Sequence, residues 1–536
     1  MKLNREGLKD RAGWETIGVT VPSYDWEAAR QDAEAHPTWV HFGAGNLFRA
    51  FPATLQQSLL EQALVTGGVY TAETFDYGIV DKTYNAFDNL SIRVELRPDG
   101  SMPKAIIASV AGALRADETY PADYERLKEI FRNPSLQLIT FTITEKGYAL
   151  MDLNGNYYPA AAKDITNGPE HCCTAMGKVA AMLLERFRAG AFPMAVVSLD
   201  NCSRNGEKLR ASIMTMVDKW LERGAVPQAF ADWVRNENNV SFPWTMIDKI
   251  TPRPAQVVAD ALTAAGIEDM QITVMPNQSY TAAFVNTERP QYLAIEDRFP
   301  NGRPPLEKAG VFMTDRDTVN NVEKMKVMTC LNPLHTALAV YGCLLGYDTI
   351  AAEMTDPALK HLVEQIGYVE GLPVVVHPGI IEPQDFIHEV LDERFPNKFM
   401  PDTPQRIAMD TSQKVGIRFG ETIRSYLERP ELDVASLTYI PLAIAGWLRY
   451  LLAVDDQGQP MVCSTDPMLD SLQRQLSGVT VGDPASLTDQ ADAILSNELI
   501  FGVDLLAIGL GDRIKADLRA MLEGPGAVRK RLDQSL

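Results

Sequence analysis

The sequence predicts an α/β protein, with an N-terminal Rossmann-like, doubly wound sheet in residues 1–305 and a mostly α-helical domain in residues 306–536. Three observations carry that reading. Trp39-Val-His-Phe-Gly43-Ala-Gly45 joins a short apolar run to a glycine turn, and Phe51 to Leu64 continues at helical spacing. Apolar strand-like runs then alternate with amphipathic stretches, the pattern of a parallel sheet with helical crossovers. Beyond Arg298-Phe-Pro-Asn-Gly-Arg-Pro-Pro305, where Gly and Pro cluster, strand patterns almost vanish.

The totals agree with this division. A chain of 536 residues exceeds one ordinary core, so two domains are the default. Its 46% hydrophobic and 22% charged residues fit a globular protein. No apolar run approaches the roughly 18 residues of a membrane helix; the most apolar segment, Tyr439 to Val454, is interrupted by Arg449. The N-terminus shows no apolar leader region, so a cytoplasmic location is expected. A formal charge of −20 argues against nucleic acid and anionic membranes as partners. It also requires any site for an anionic ligand to carry its own cations. Six cysteines without Cys-x-x-Cys, and no His-Glu-x-x-His, leave no metal expected and read as reduced core residues.

Taken in order, the strand before Gly43 enters a turn whose small residues let a pyrophosphate approach the backbone, although Phe48 stands where a third glycine is usual. Tyr77-Gly-Ile-Val-Asp81 reads as a second strand ending in an acid. Asp81 could bind an adenosine ribose and repel a 2′-phosphate, favouring NAD over NADP. Strands are expected at Ser91–Leu96, Lys104–Val110 and Leu136–Ile143, with helices at Tyr124–Phe131 and Cys173–Arg188. The strand to Ile143 runs into Thr144-Glu145, polar residues at the strand end where open sheets bind ligands. Met194–Asp200 repeats the pattern: Asn201 could reach a substrate oxygen or merely close an Asx-turn. A helix follows from Glu207 to Glu222. Asp248, in Phe242–Pro252, reads by itself as a structural carboxylate.

In the second domain, Glu323-Lys-Met-Lys-Val-Met-Thr-Cys-Leu-Asn-Pro-Leu-His335 places an amine (Lys326), a carboxamide (Asn332) and an imidazole (His335) in a mostly apolar helix. Desolvation beside Val327, Met328 and Leu331 would bring Lys326 towards general-base range. Pro333 interrupts the helix by giving no N–H to Thr329. A kinked core helix with a solvated lysine fits the same residues. Further on, Arg406 and Lys414 would lie about 80° and about 12 Å apart on one helix, a grip for an anionic or polyhydroxy substrate or an exposed basic edge.

Ordered pieces along most of the chain resemble the mannitol dehydrogenase family of long-chain polyol and sugar-acid dehydrogenases. They are Gly43-Ala-Gly-Asn-Leu-Phe-Arg49, Thr142-Ile-Thr-Glu-Lys-Gly-Tyr148, Ser198-Leu-Asp-Asn-Cys-Ser-Arg-Asn-Gly206, Phe242–Asp248, Asn301–Pro304, Glu323-x-x-Lys326, Asp410–Lys414 and Gly446-Trp-Leu-Arg-Tyr450. The resemblance implies zinc-independent, NAD-linked interconversion of a secondary alcohol and a ketone on a small polyol or aldonate. It implies Lys326 as general acid/base, with Asn201 and Asn332 holding the reacting oxygen. His335 and Asp248 would orient substrate and lysine, Arg406 and Lys414 would bind the distal substrate end, and Glu323 would gate protons. Gly43, Gly45, Phe48, Arg49, Asp81, Thr144 and Glu145 would form the cofactor set.

Five residues separate Lys326 from Asn332 where the family pattern has four. In a straight helix Lys326 would then point about 180° from His335, so a π-bulge or kink between Lys326 and Asn332 is expected. The cations lean the substrate towards a sugar acid such as fructuronate or mannonate. A neutral polyol such as mannitol is the alternative, and a catalytically silent NAD-binding sensor a further one.

Overall fold

The computed structural model describes residues 1–152 and 154–536, which form two compact units, Met1–Asn320 and Asn321–Leu536. The division falls later than the Pro-rich segment at 298–305. Residues 312–314 still pair with a strand of the first unit, and Leu306–Ala309 turns back on the helix at 52–61.

The first unit is built on six strands: β1 (Trp39–Phe42), β2 (Val69–Glu73), β3 (Val110–Arg115), β4 (Leu138–Phe141), β5 (Met194–Ser198) and β6 (Val240–Ser241). All neighbours are parallel, in the order β3-β2-β1-β4-β5-β6. That is the doubly wound nucleotide-binding order, with its reversal between β1 and β4. Parallel strands covered on both faces carry little alternation, and β1, β2, β4 and β5 are buried at every residue. The helices Pro121–Arg132 and Ala175–Gly190 pack together, their apolar faces meeting Phe42, Ile139 and Phe141 in one core. On the other face Phe48, Leu55, Leu59, Val69, Leu138 and Val197 form a second core.

The second strand differs from the expectation. Val69–Glu73 takes that place, and Val80–Tyr84 is a π-helical turn. Ser91–Glu95 and Lys104–Ile107 are strands, but they belong to a separate mixed sheet with Val19–Thr20 and Phe284–Thr287. A three-stranded sheet joins β7 (Thr245–Asp248), β8 (Tyr292–Glu296) and β9 (Phe312–Thr314).

The second unit is helical. Its most apolar helix, Tyr439–Leu451, is buried along all but its first residue. Arg449 within it is wholly buried, with Nε donating to the Met521 carbonyl at 3.2 Å and both Nη atoms to Val454 and Asp455 at 2.6 and 3.0 Å. The arginine thus satisfies carbonyls that a helix end leaves unpaired. Gly446 lets Tyr341 approach, since a Cβ there would lie 2.6 Å from the ring, and Tyr341 OH donates to the Leu442 carbonyl at 2.8 Å. One helical run not singled out above, Arg316–Leu345, is long and apolar enough to span a membrane by length and composition; 67% of its most apolar window is buried in the protein.

Candidate active site

In the first unit a cavity of about 780 Å³ opens at the carboxyl ends of β1, β2 and β4, where the strand order reverses. Gly43, Gly45, Glu73, Phe75, Asp76 and Thr144 line it. The two glycines serve different ends. Gly43 has φ +109°, and a Cβ there would sit 2.3 Å from the Thr142 carbonyl oxygen, so it closes the turn against β4. Gly45 has open space where its Cβ would be, which keeps the floor of the cavity bare.

Thr144 is a β-branched residue held at φ +66° and ψ 160°. Such strain persists only where neighbours enforce it. Asp200 does so: its carboxylate accepts from the backbone N–H groups of Ile143 and Thr144 at 2.9 Å each and from Tyr148 OH at 2.5 Å. Burial raises the Asp200 pKa, and these hydrogen bonds work against that shift.

Glu73, at the end of β2, ties the turns together. Its Oε2 accepts from Ala44 N at 2.9 Å, and its Oε1 from the N–H groups of Thr74 and Phe75 at 2.9 Å and Asp76 at 3.3 Å. Asp76 accepts from Asn277 and Ser279 at 3.0 and 2.9 Å. Beside these acids Phe75 stands 80% exposed.

Several expected cofactor residues lie elsewhere. Asp81 is on the π-turn, exposed, bonded to Arg115 Nη1 at 3.1 Å and Asn85 at 2.9 Å, and does not line the cavity. Glu73 and Asp76, after β2, line the cavity instead. Phe48 is buried, stacked on His41 at 4.6 Å; His41 bonds Thr140 and Thr142 and is depressed by burial to about 3. Arg49 is also buried, donating to the Ala282 carbonyl and Asn46 Oδ1 at 2.8 Å each. Both side chains support the turn from behind. Glu145 is exposed and paired with Lys208, while its neighbours Lys146 and Gly147 line the cavity. Asn201 is exposed in the loop after β5, and Asp248 is buried on β7. Cys173, expected in the core, is exposed and lines the cavity.

In the second unit the expected bulge is present. The helix Arg316–Lys324 widens into a π-turn at Met325–Cys330, and the Leu331 N–H donates to the Lys326 carbonyl at 3.1 Å. Leu331 leaves helical geometry at φ −129°, and a new helix, Asn332–Leu345, starts with Pro333 in its first turn, where no N–H is missed. On ideal helix geometry, absorbing one residue would set Lys326 and His335 about 80° apart around a common axis instead of about 180°. Lys326 is only 4% exposed, and Glu323, one turn earlier, is partly exposed.

The His335 ring packs against Phe395 at 4.9 Å, tilted by 34°, and among the described residues its buried Nε2 has no hydrogen-bond partner, lying 3.7 Å from Asp402 Oδ2. Burial lowers its pKa to about 4. Arg406 and Lys414 do not share a helix. Pro404–Ile407 ends, Asp410 takes φ +53°, and Lys414 follows the short turn Thr411–Gln413. Arg406 pairs with Asp402, and Lys414 Nζ donates to the Met409 carbonyl. Burial lowers the Lys414 pKa, and Arg418 and Arg406 add to the effect.

A doubly wound sheet with a cavity at its reversal point, together with a helical unit presenting a buried lysine, defines a Rossmann-type oxidoreductase. The chain belongs to the mannitol dehydrogenase family: residues 37–308 match the mannitol dehydrogenase Rossmann domain and residues 318–522 the mannitol dehydrogenase C-terminal domain. The D-mannonate oxidoreductase of Thermotoga maritima is 53% identical over 100% of this chain and 99% of its own. Among solved structures, a substrate-free D-sorbitol dehydrogenase is 26% identical with a TM-score of 0.76, covering 97% of this chain and 100% of its own. The Pseudomonas fluorescens mannitol 2-dehydrogenase, in ternary complex with NAD and D-mannitol, is 25% identical with a TM-score of 0.69, covering 100% and 99%.

Proposed function

We propose that this protein is an NAD-dependent oxidoreductase interconverting D-mannonate and its keto acid D-fructuronate, with Lys326 as general acid/base. The observation that supports the assignment is the π-turn at Met325–Cys330, in which Lys326 is buried and one residue is absorbed before Asn332 and His335. The identity to a D-mannonate oxidoreductase supports the substrate.

The cavity fits a dinucleotide. Gly45 leaves open the space a Cβ would fill, and the volume suits a ligand of cofactor size. Gly43 and Gly45 would admit the pyrophosphate, Glu73 and Asp76 would face the adenosine ribose and repel a 2′-phosphate, and the exposed Phe75 ring offers an apolar face to the adenine. When bound, the reduced cofactor supplies hydride to the ketone carbon.

The protein's own work is proton transfer and orientation. In reduction, Lys326 Nζ gives a proton to the ketone oxygen as it becomes an alcohol; in oxidation it takes that proton back. Asn332 donates an amide hydrogen to the oxygen as negative charge develops. His335, kept neutral by burial, accepts a hydroxyl hydrogen at Nε2. Glu323 is the candidate for passing protons to solvent.

NADH oxidation over fructuronate, tagaturonate, fructose and xylulose tests the reading. Fructuronate should give the highest kcat/KM, and a panel without turnover would overturn it in favour of a silent NAD-binding protein.

A further inference from the structure

Around His335 the second unit gathers Arg394, Arg406 and Arg418, with Lys414 close by, against Asp402. Arg406 is neutralised by Asp402. Arg418 differs. Its Nη1 donates to Thr336 Oγ1, one residue from His335 and one turn from Asn332, and Thr336 Oγ1 donates onward to the Asn332 carbonyl at 3.0 Å. Among the described residues that is the only hydrogen bond of its side chain, and no carboxylate lies within 4 Å of its guanidinium. Burial lowers its pKa to about 10. A largely buried guanidinium without a counter-ion costs stability unless a ligand supplies one.

The backbone holds Arg418 in this position. It sits in the π-helical turn Gly416–Gly420. A Cβ on Gly416 would meet the Ile500 carbonyl at 2.6 Å and one on Gly420 would fall within 1.8 Å of Phe501 O, so both glycines let this turn press against 500–501. Arg418, two residues from each, projects to the opposite side, towards Asn332–Leu345. The next helix is joined to the lysine-bearing turn by Thr422 Oγ1, which donates to the Met328 carbonyl at 3.4 Å.

We infer that Arg418 is the specificity residue of this enzyme, its guanidinium binding the carboxylate of a sugar-acid substrate whose hydroxyls His335 and Asn332 engage. The inference rests on the sugar-acid reading above and deepens it. A planar fork matches a carboxylate with two parallel N–H···O bonds, which a neutral polyol terminus cannot accept in the same way. Lys414, one turn earlier, also has no carboxylate within 4 Å among the described residues, and a bound anion would relieve the repulsion between the two cations.

The test compares wild type, Arg418→Gln and Arg418→Lys, full-length, with NAD present. Turnover of D-mannonate and of D-mannitol is measured beside calorimetric binding of each. The acid-to-polyol ratio of kcat/KM should fall about 100-fold in Arg418→Gln, the size of a lost charge-assisted pair, and less in Arg418→Lys. The melting temperature without substrate should stay level or rise, because an uncompensated cation is removed. An unchanged ratio in an active, folded Arg418→Gln overturns the inference. If wild type turns over no aldonate yet binds mannonate in an Arg418-dependent way, the function reading falls and the carboxylate site stands. Equal aldonate binding by all three proteins removes the site.

Discussion

The Leu331 N–H donates to the Lys326 carbonyl at 3.1 Å, an i+5 bond that opens the helix by one residue directly beside the proposed catalytic amine. Here the wide turn ends at Leu331, where the chain leaves helical geometry before the helix Asn332–Leu345 begins. If Lys326 moves the proton, Lys326→Ala should lower kcat by about 10²–10⁴ while the NADH dissociation constant stays within about twofold. Single-turnover kinetics beside a fluorescence titration would read both. A variant that keeps its turnover would remove the assignment.

The two glycines of the turn should separate stability from binding. Gly43→Ala forces a Cβ to 2.3 Å from the Thr142 oxygen at φ +109° and should cost about 2–4 kcal/mol in urea unfolding. Gly45→Ala meets nothing in the protein, so unfolding should shift by less than about 0.5 kcal/mol, yet its methyl enters the cavity and should weaken NADH binding about tenfold. Identical behaviour of the two variants in both assays would contradict the division of roles.

How far the sequence could be read depended on whether a feature is local. Gly43 was legible because its left-handed turn suits glycine alone, Gly45 because a bare backbone there admits a ligand, and the π-turn because one surplus residue must go somewhere. The second strand was not. Val69–Glu73 is buried throughout and carries no alternation, whereas Tyr77–Asp81, a short apolar run ending in an acid, imitates a strand although it leads into a helical turn. Arg406 and Lys414 were given a common helix because nothing in residues 406–414 announces that Asp410 turns left-handed. Arg418 escaped notice for a third reason. What marks it is the absence of a nearby carboxylate, and that is a property of the folded unit.

Glu73, rather than Asp81, should govern the choice between NAD and NADP. Glu73 lines the cavity at the end of β2, while Asp81 is exposed and bonded to Arg115. Removing one negative charge favours a 2′-phosphate by about 1.4 kcal/mol, about tenfold, even from about 12 Å at an effective dielectric near 20, and by more at shorter range. The NADP-to-NAD ratio of kcat/KM should therefore rise about tenfold in Glu73→Gln, with some loss of affinity for both as the bonds to Ala44 and Thr74–Asp76 weaken. Asp81→Asn should leave the ratio within about twofold. The opposite ranking would restore Asp81.

His335 should make the second unit sensitive to acid. Burial depresses its imidazole from 6.5 to about 4, with Asp402 opposing and Arg418, Arg406 and Arg394 adding to the depression. Below about pH 6.5 an unfolded histidine takes up a proton that the folded one refuses. The unfolded state then binds more protons, so stability falls as pH falls: the contribution is complete above about pH 6.5 and lost on the way to about pH 4. A gap of about 2.5 pH units bounds the effect at about 3 kcal/mol. His41 acts in the same direction in the first unit, where burial takes it to about 3. Thermal unfolding at pH 7 and pH 4.5 checks this. The drop in melting temperature should be smaller in His335→Gln than in wild type, because glutamine has no proton to gain. Equal drops in the two proteins would mean that folding leaves the His335 pKa unshifted, and burial would then not be what keeps its imidazole neutral.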